Sequence, residues 1–294
     1  MKRNPTQGSL ILLLLLLFAG ACKKSIDQVN PAENPAVPND STTAVTTATP
    51  FPVSPLAECD NAPFYGDSIV YPQPSEASDY YVYPQNNQGV AGTYFSWPVG
   101  LQMNSSTGAI NITQSETGAR YAVAFVKENT TDTCMSELIV GGAAYADSVY
   151  VLSLSNKTAK PYFNADPAGP QPCVGTQGSG CVFDYNNAAH NQGIEIDQKT
   201  GFIDLQKTME KSPFGLLPIN GTTVYTTINY KLNDASNFAP QKITLKMVYY
   251  NHKSDIPPGL LQTVTDNLIQ TLNDLLISKG PSPRPPLIVI VRYP

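Results

Sequence analysis

The 294-residue sequence has few of the residues on which catalysis and nucleic-acid binding depend. Only 14% of its residues are charged, against about 25% in typical soluble domains. It has two histidines, His190 and His252, and neither stands in a metal-binding or nucleophile motif. Glu195 and Asp197 could imitate the carboxylate pair of a glycosidase, but Asp197 is expected to serve the turn of a hairpin. We therefore predict that the protein is not an enzyme, with a polysaccharide hydrolase as the alternative.

A long uncharged run occurs near the N-terminus, where an apolar stretch over residues 10–18 follows two basic residues and three small residues precede Cys22. This run is too short to cross about 30 Å of hydrocarbon, and it predicts a signal peptide over residues 1–21. The motif AGAC, followed by KKS, resembles the lipoboxes of Bacteroidota lipoproteins. The resemblance implies acylation of Cys22 and anchoring in the outer membrane, facing either the periplasm or the cell surface. The alternative is an ordinary secretory signal with a stray cysteine.

Residues 22–58 are rich in Pro, Thr and Ser and hold almost no apolar side chains, so we predict a disordered tether. Without Lys2 and Arg3 the chain has 16 basic residues against 23 acidic ones, a balance of −7 that gives no reason to expect nucleic acid. In an exported protein, an even number of cysteines predicts disulfides, and four cysteines permit three pairings. The four beyond Cys22 are Cys59, Cys134, Cys173 and Cys181.

One short pattern occurs twice, as GLQMNSSTGAINI at 100–112 and as GIEIDQKTGFIDL at 193–205. In each copy apolar residues alternate with polar ones on both sides of a polar break, which predicts a β-hairpin. Gly108 and Gly201 supply the positive φ that closes such a turn. We expect the pattern to serve folding and not chemistry.

The repetition extends beyond the hairpins. FYGDSIVY at 64–71 matches AYADSVYV at 144–151 with an offset of 80 residues, whereas the hairpins are offset by 93. The second copy is therefore predicted to carry an insertion of 13 residues in the stretch around Cys173. Strand-like pairs follow both hairpins, so the sequence predicts two β-rich domains of one plan, over residues 59–142 and 143–294.

The motif GLxxNxxTGxI, with TGxxYxVxF after it, resembles the Ig-like domains of bacterial surface proteins, and IDQKTGFIDL is similar to a hairpin of cadherin repeats. The resemblance implies an all-β fold of two tandem Ig/cadherin-like antiparallel sandwiches. In Ig-like sandwiches the first and last strands lie side by side in parallel, which implies a disulfide between Cys59 and Cys134. The other pair, Cys173 and Cys181, is then expected within the insertion.

Cadherins also bind calcium between their domains through acidic motifs. The nearest match in this chain is NDASNFAP at 233–240, which lacks the neighbouring acidic ligands. Asp197 and Asp234 are therefore predicted to be turn residues, and we predict no metal and no other cofactor.

The second domain is predicted to gain a helix and a strand that the first lacks. Apolar residues recur at spacings of three and four over 258–279, which predicts an amphipathic helix, and LIVIVRY at 287–293 predicts a buried strand. We favour a helix that covers one face of the sheet over a helix that binds a partner. The apolar positions are Leu261, Val264, Leu268, Leu272 and Leu275.

Four aromatic residues are candidates for ligand binding: Tyr80, Tyr81 and Tyr83 in DYYVYP, and Trp97 in TYFSWP. Exposed aromatic rings can stack on sugar rings, although strands favour tyrosine in any case. The sequence thus favours a lipid-anchored binding or adhesion protein whose partner is a glycan or another envelope protein. A purely structural spacer is the further alternative.

Overall fold

The computed structural model shows mostly β-strands and few helices, as expected for an all-β fold. The signal peptide, Cys22, the tether and the predicted helix beyond residue 272 lie outside the described residues, as do the side chains of Gln270 and Leu272. All the described residues belong to one compact unit. They are residues 59–74, 79–131, 133–154, 157–173, 180–272 and 285–294.

The described residues of the N-terminal half, within 59–142, contain six strands. They are β1 (Ile69–Val70), β2 (Tyr81–Val82), β3 (Gly92–Trp97), β4 (Ile110–Asn111), β5 (Ala119–Lys127) and β6 (Thr133–Val140). Four of them form a sheet in the order β1-β6-β5-β3, while β2 and β4 form a separate antiparallel pair. The first and last strands, β1 and β6, run parallel, as the resemblance to Ig-like domains implies.

One hydrophobic core fills the N-terminal half. Residues from the four-stranded sheet, such as Tyr121 and Val123, pack against Ile110 and Ile112 around the smaller strand pair. Alternation along β5 and the short β4 directs these side chains inward, because successive strand residues point to opposite faces. This half therefore has two layers of strand around one core.

The C-terminal half, residues 143–294, contains the longer strands and the three α-helices of the described chain. The strands are β7 (Ala143–Tyr145), β8 (Ser148–Val151), β9 (Thr158–Ala159), β10 (Pro161–Phe163), β11 (Val182–Phe183), β12 (Ile203–Asp204), β13 (Thr223–Lys231), β14 (Gln241–His252) and β15 (Leu287–Tyr293). The helices are α1 (Ala188–Asn191), α2 (Leu205–Glu210) and α3 (Pro258–Leu272), and a short 3₁₀ turn covers Lys253–Asp255.

The main sheet of this half has the order β11-β13-β14-β15-β8, and β15 runs parallel to both of its neighbours. The matching strands of the N-terminal half, β6 and β1, pair with each other directly. The added strand is thus not attached at an edge but inserted between the first and last strands of the repeated plan. Together with β14 and α3 it forms a β-α-β unit, the usual connection between neighbouring parallel strands.

A strand in this position is buried on both faces, which explains the uninterrupted apolar run of LIVIV. Ile288 and Ile290 face the main core of the C-terminal half. Val289 and Val291 face a second cluster that includes Val264 of α3. The helix therefore covers the sheet face opposite the main core, as its apolar spacing predicts.

The repeated segments meet each other in the same way in both halves. The hydroxyl of Tyr65 donates a hydrogen bond to the carbonyl of Gly108 at 2.8 Å, and the hydroxyl of Tyr145 donates to the carbonyl of Gly201 at 2.5 Å. The two glycines have φ values of 70° and 73°. The two motifs that recur in the sequence thus contact each other, and the same contact occurs once in each half.

The hairpins are shorter than the alternation predicts. Single bridges close them, Met103 with Ile110 and Ile196 with Ile203, beyond which only β4 and β12 continue as strands. The second copy was expected to extend as strand through Leu205, and this is wrong because α2 begins there. The side chain of Asp204, the residue before α2, caps the start of this helix by accepting a hydrogen bond from the backbone N–H of Lys207.

The offset between matching residues of the two halves increases by 13 between β9 and β11. Val82 of β2 and Ala159 of β9 hold matching places 77 residues apart, whereas Gly92 of β3 and Val182 of β11 are 90 apart. The 13 extra residues therefore lie between β9 and β11, in the segment that contains the second cysteine pair.

Both disulfide pairings are confirmed. Cys59 joins Cys134 with Cα atoms 5.6 Å apart, at the start of β6. Cys173 joins Cys181 with Cα atoms 5.4 Å apart, within the insertion. The first bridge closes a separation of 75 residues and the second a separation of 8.

Polar contacts join the two halves around Gly142. The hydroxyl of Tyr230 accepts a hydrogen bond from the backbone N–H of Ala143 at 2.8 Å and also contacts the hydroxyl of Thr117. A Cβ at Gly142 would lie 2.6 Å from the Tyr230 hydroxyl, so the close approach requires glycine. The junction is thus built from hydrogen bonds and a glycine, between two separate hydrophobic cores.

Candidate ligand-binding site

The aromatic residues in and beside strand β2 are divided between core and solvent. Tyr80 and Val82 pack against the core of the N-terminal half, while Tyr81 and Tyr83 leave 46% and 61% of their surfaces exposed. The alternation of a strand accounts for this division, because residues 81 and 83 point to the same face. Two of the four predicted aromatics therefore lie on one outward face.

A set of polar side chains lies beside these tyrosines, across the β2–β4 pair. The side-chain amide of Asn111 donates to the carboxylate of Asp79 at 2.7 Å and to the hydroxyl of Tyr81 at 3.1 Å. The amide of Gln114 donates to the other oxygen of Asp79 at 3.3 Å. We call Asp79, Tyr81, Asn111 and Gln114 the tyrosine–amide cluster.

The strand register and a short turn position this cluster. Asn111 lies opposite Tyr81 in the β2–β4 ladder, so their side chains project from the same face. Its side-chain oxygen accepts a hydrogen bond from the backbone N–H of Gln114 at 3.1 Å, which holds the following turn. Thr113 accepts a further bond from the backbone N–H of Tyr80 at 2.9 Å.

The cluster combines groups that suit a sugar. The exposed ring of Tyr81 offers an apolar face with a polar end, which is the kind of surface on which a pyranose ring can stack. The amide nitrogens are hydrogen-bond donors, and the carboxylate of Asp79 is an acceptor with more than one lone pair. Hydroxyl groups of a ligand can therefore replace hydrogen bonds that the side chains of the cluster make with one another.

The remaining aromatic candidates lie elsewhere. Trp97 is half-buried at the end of β3, opposite Ala122 in the four-stranded sheet, and so belongs to a different sheet from Tyr81. Tyr80 packs inward, as described.

The C-terminal half holds different residues at the matching place. Asp204 replaces Asn111 and caps α2 through the backbone N–H of Lys207 at 3.0 Å. Its other carboxylate oxygen lies 3.5 Å from the Lys207 ammonium. Thr158 pairs with Asp204 where Tyr81 pairs with Asn111. The turn cap is common to both halves, whereas the exposed tyrosine and its amide contacts belong to the N-terminal half.

The carboxylate pair suggested by the sequence is used in structural contacts. The carboxylate of Asp197 accepts hydrogen bonds from the backbone N–H groups of Lys199 and Thr200 at 3.0 and 2.8 Å. Partial burial raises the pKa of Asp197, but these bonds, a bond from the Thr200 hydroxyl and the charge of Lys199 outweigh it and lower the pKa. A carboxyl group with a lowered pKa is a poor general acid at neutral pH.

Glu195, the other member of the pair, lies between two basic side chains. Its Oε1 is 3.8 Å from Nδ1 of His190 and 3.7 Å from Nζ of Lys211.

Among the described residues, no group of three or more His, Cys, Asp and Glu side chains is placed to hold a metal ion. In the same residues no helix is long and apolar enough to cross a membrane. Asp234 accepts from the backbone N–H of Ser236 at 2.8 Å, the contact of a turn residue.

The sequence alone did not predict the polar members of the tyrosine–amide cluster. Asp79 precedes the two tyrosines directly, but Asn111 and Gln114 lie about 30 residues away and meet them only through the β2–β4 register. The available signal was the repeat itself. Asn111 stands at the position of Asp204, so its role as a turn cap could have been inferred from the second copy.

Comparison with known proteins gives neither a family nor a curated relative. No family model matches the chain, and no curated protein matches it. Human protocadherin-24 EC1-2 resembles it at 8% identity and a TM-score of 0.22, over 64% of this chain and 95% of that one. Drosophila N-cadherin EC1-4 resembles it at 7% identity and a TM-score of 0.20, over 63% of this chain and 47% of the other.

A third solved structure is a SusE-like surface located polysaccharide binding protein from the Bacteroides thetaiotaomicron heparin utilisation locus. It resembles the chain at 9% identity and a TM-score of 0.21, over 60% of this chain and 32% of that one. TM-scores this low do not establish a common fold.

Proposed function

We propose that this protein is a lipid-anchored, non-enzymatic glycan-binding protein of the bacterial outer membrane, built from two Ig/cadherin-like sandwiches. The signal peptide and the cysteine at its end support the location. The tyrosine–amide cluster supports the ligand, with Tyr81 as the stacking surface and Asn111 and Gln114 as hydrogen-bond donors. Tyr83, on the same face of the chain, extends the aromatic surface.

The exposure of Tyr81 and Tyr83 is the observation that carries the glycan proposal. A tyrosine needed only for packing is buried, as Tyr121 and Tyr230 are. Tyr81 instead keeps almost half of its surface in solvent while its hydroxyl is fixed by Asn111. A ring held in one orientation loses little conformational freedom when a ligand binds, which favours affinity.

Affinity gel electrophoresis against a panel of polysaccharides, such as starch, xylan and mannan, tests the proposal. We expect one of them to retard the protein, and we expect Tyr81→Ala to reduce that retardation about tenfold or more, since loss of a central aromatic residue typically costs over 1 kcal/mol of binding. Tyr225→Ala is the matched control, because Tyr225 is a strand tyrosine of similar exposure in the C-terminal half.

Three results would change the proposal. Equal loss with Tyr81→Ala and Tyr225→Ala would remove the tyrosine–amide cluster from the binding site. Breakdown of the retained polysaccharide would favour the hydrolase alternative. Absence of retardation across the panel would favour an adhesion role toward another envelope protein, or a spacer.

The anchor is tested separately from the ligand. Replacing Cys22 by Ser removes the acylation site, and we expect cells fed labelled palmitate to label the parent protein but not the variant. Stable membrane anchoring takes more than one acyl chain, each buried methylene contributing about 0.8 kcal/mol. If the parent takes up no label, or the Cys22→Ser variant takes up as much as the parent, the lipoprotein proposal is wrong while the glycan proposal stands.

A further inference from the structure

The loop between α2 and β13 carries the most exposed large apolar side chains of the described chain. Leu216 and Leu217 leave 90% and 91% of their surfaces in solvent, and Ile219 leaves 75%. We call these three residues the apolar tip. Single exposed apolar residues are ordinary on protein surfaces, but three within four positions at the end of one loop require an explanation.

The base of the loop is held firmly. Phe214 is buried and lies 6.0 Å from Tyr249, measured between ring centroids. The backbone N–H of Gly221 donates to the carbonyl of Tyr249 at 2.8 Å, and the side-chain oxygen of Asn220 accepts from the backbone N–H of Asn251 at 2.7 Å. The tip is therefore fixed in an outward position and does not fold back onto the sheet.

The tip lies at the end of the main sheet that points away from the N-terminal half. β13 begins just after the tip, at Thr223, and ends at Lys231, next to the Tyr230 side chain that contacts Ala143 at the junction. β14 runs in the opposite direction and ends beside the tip at His252. The tip thus projects from the pole of the chain opposite the junction.

Cationic and aromatic groups lie at the same end of the sheet as the tip. Tyr293 is the partner of His252 in the β14–β15 ladder, and their ring centroids are 5.4 Å apart. The guanidinium of Arg292 lies 5.5 Å from the Tyr293 ring, and the exposed Lys253 follows His252 directly. Asp255 accepts a hydrogen bond from the backbone N–H of His252 at 3.0 Å, so acidic groups are also present.

The shape of the tip restricts what can cover it. Three aliphatic side chains supply roughly 200–350 Å² of apolar surface, well below the about 800 Å² per partner of a stable protein–protein interface. A second copy of the chain docking tip to tip would therefore bury too little. A bilayer needs no complementary surface, since its apolar interior takes up any small convex group, while Lys, Arg and Tyr side chains favour the headgroup level above it.

We propose that the apolar tip inserts into the surface of a phospholipid bilayer, with Leu216, Leu217 and Ile219 below the headgroups. Tyr293, Arg292 and Lys253 then lie at headgroup level around it. This contact is independent of the proposed acylation of Cys22 and of the tyrosine–amide cluster, both of which belong to other parts of the chain. It would hold the pole of the C-terminal half against a membrane.

Vesicle flotation tests the proposal without the acyl chain. The protein is the chain from residue 22 with Cys22→Ser, and the probe is vesicles of phosphatidylethanolamine and phosphatidylglycerol. We expect this protein to float with the vesicles, and we expect the combined variant Leu216→Ser, Leu217→Ser and Ile219→Ser to lose about tenfold or more of the bound fraction. The matched control replaces three other exposed apolar residues by serine, Phe64, Val99 and Leu154, and should float like the parent.

A probe on the tip reports its environment directly. We expect an environment-sensitive fluorophore attached through Leu217→Cys to shift to shorter wavelengths with vesicles and to be quenched by brominated lipid chains. A parent protein that does not float, equal flotation of the tip and control variants, or a fluorophore that stays in water would each overturn the proposal. Circular dichroism and thermal unfolding of the tip variant should match the parent, because its three side chains are exposed.

Discussion

The two halves of the molecule place a matching aspartate before their first sheet strand and use it differently. Asp67 is exposed and accepts hydrogen bonds from the backbone of Ser68 and Ile69, in its own turn. Asp147 is buried, and its two oxygens accept from the backbone N–H of Leu287 at 2.8 Å and from the amide of Asn267 at 2.7 Å. The same residue in the same plan has become the attachment point of β15 and α3.

The difference shows two ways to stabilise one small β-plan. The N-terminal half pairs a first strand of two residues directly with its last strand and adds a long-range disulfide from Cys59 to Cys134. The C-terminal half separates the same two strands with a buried strand and covers the sheet with a helix, and its disulfide closes only a local loop. Small domains with limited cores commonly depend on disulfides, and larger ones on buried area.

The largest expected effect separates the halves by their disulfides. Replacing Cys59 and Cys134 by Ala should lower the free energy of unfolding by about 4 kcal/mol, and replacing Cys173 and Cys181 by about 2.5 kcal/mol, because loop-closure entropy grows with loop length. Guanidinium denaturation of both double variants measures the difference. Equal losses would mean that the N-terminal half does not depend on its long-range bridge.

The turn glycines should behave alike in the two halves. A Cβ at Gly108 or Gly201 would lie 2.7 Å from the ring of Tyr94 or Phe183, and both residues have positive φ. Valine at either position should therefore cost about 2–4 kcal/mol, from backbone strain together with overpacking. Gly89 is the control for strain alone, because it has a φ of 77° and a Cβ added there would have no atom within 4 Å.

Denaturation curves of the three valine variants measure the comparison. We expect Gly89→Val to cost about 1–2 kcal/mol, and the other two variants to cost more by similar amounts. A large difference between Gly108→Val and Gly201→Val would show that the two hairpins are not equivalent parts of one plan.

The two matching aspartates, Asp67 and Asp147, should differ in their effect on stability, whereas the two turn glycines should not. Asp147→Ala should cost about 2 kcal/mol or more, because it leaves the backbone N–H of Leu287 and the amide of Asn267 without this acceptor in a buried place. Asp67→Ala should stay within about 0.5 kcal/mol, as is usual for an exposed turn residue. Hydrogen exchange of the β15 amides supplies the local measurement, and unchanged protection in Asp147→Ala would contradict the role of this residue.

Local pattern was sufficient for the parts of the fold that depend on neighbours in sequence. Alternation and turn glycines predicted the hairpins, and the spacing of Leu261 and Val264 predicted α3. The position of β15 did not follow from local pattern, because a buried apolar run has the same appearance at an edge or in the middle of a sheet. Its first residue is held by Asp147, 140 residues earlier in the chain.

The candidate site divides in the same way. The tyrosines of DYYVYP were visible in the sequence, and strand alternation decides which of them face solvent. The contacts of Tyr81 with Asn111, and of Asp79 with Gln114, depend on a register between two strands of two residues each, and such short strands carry little register information of their own. The apolar tip was likewise hidden, since the sequence GLLPIN does not show that the adjacent Phe214 turns inward and leaves Leu216 and Leu217 outside.

The smallest expected effect concerns the tyrosines that bind the turn glycines. Burial, with a smaller contribution from Tyr94, raises the pKa of Tyr65, and burial, with contributions from Tyr230 and Tyr150, raises the pKa of Tyr145. A group with a raised pKa in the folded state stabilises it fully below the unfolded pKa of about 10 and loses that contribution as the pH rises further, by about 1.4 kcal/mol per pH unit for each tyrosine. Both Tyr65→Phe and Tyr145→Phe should cost about 1 kcal/mol at neutral pH, through loss of the bond to Gly108 or Gly201, and both should flatten the decline in stability above pH 10. Urea denaturation between pH 8 and about pH 11 measures the slope, and a variant that declines as steeply as the parent would show that its tyrosine ionises as readily in the folded chain as in the unfolded one.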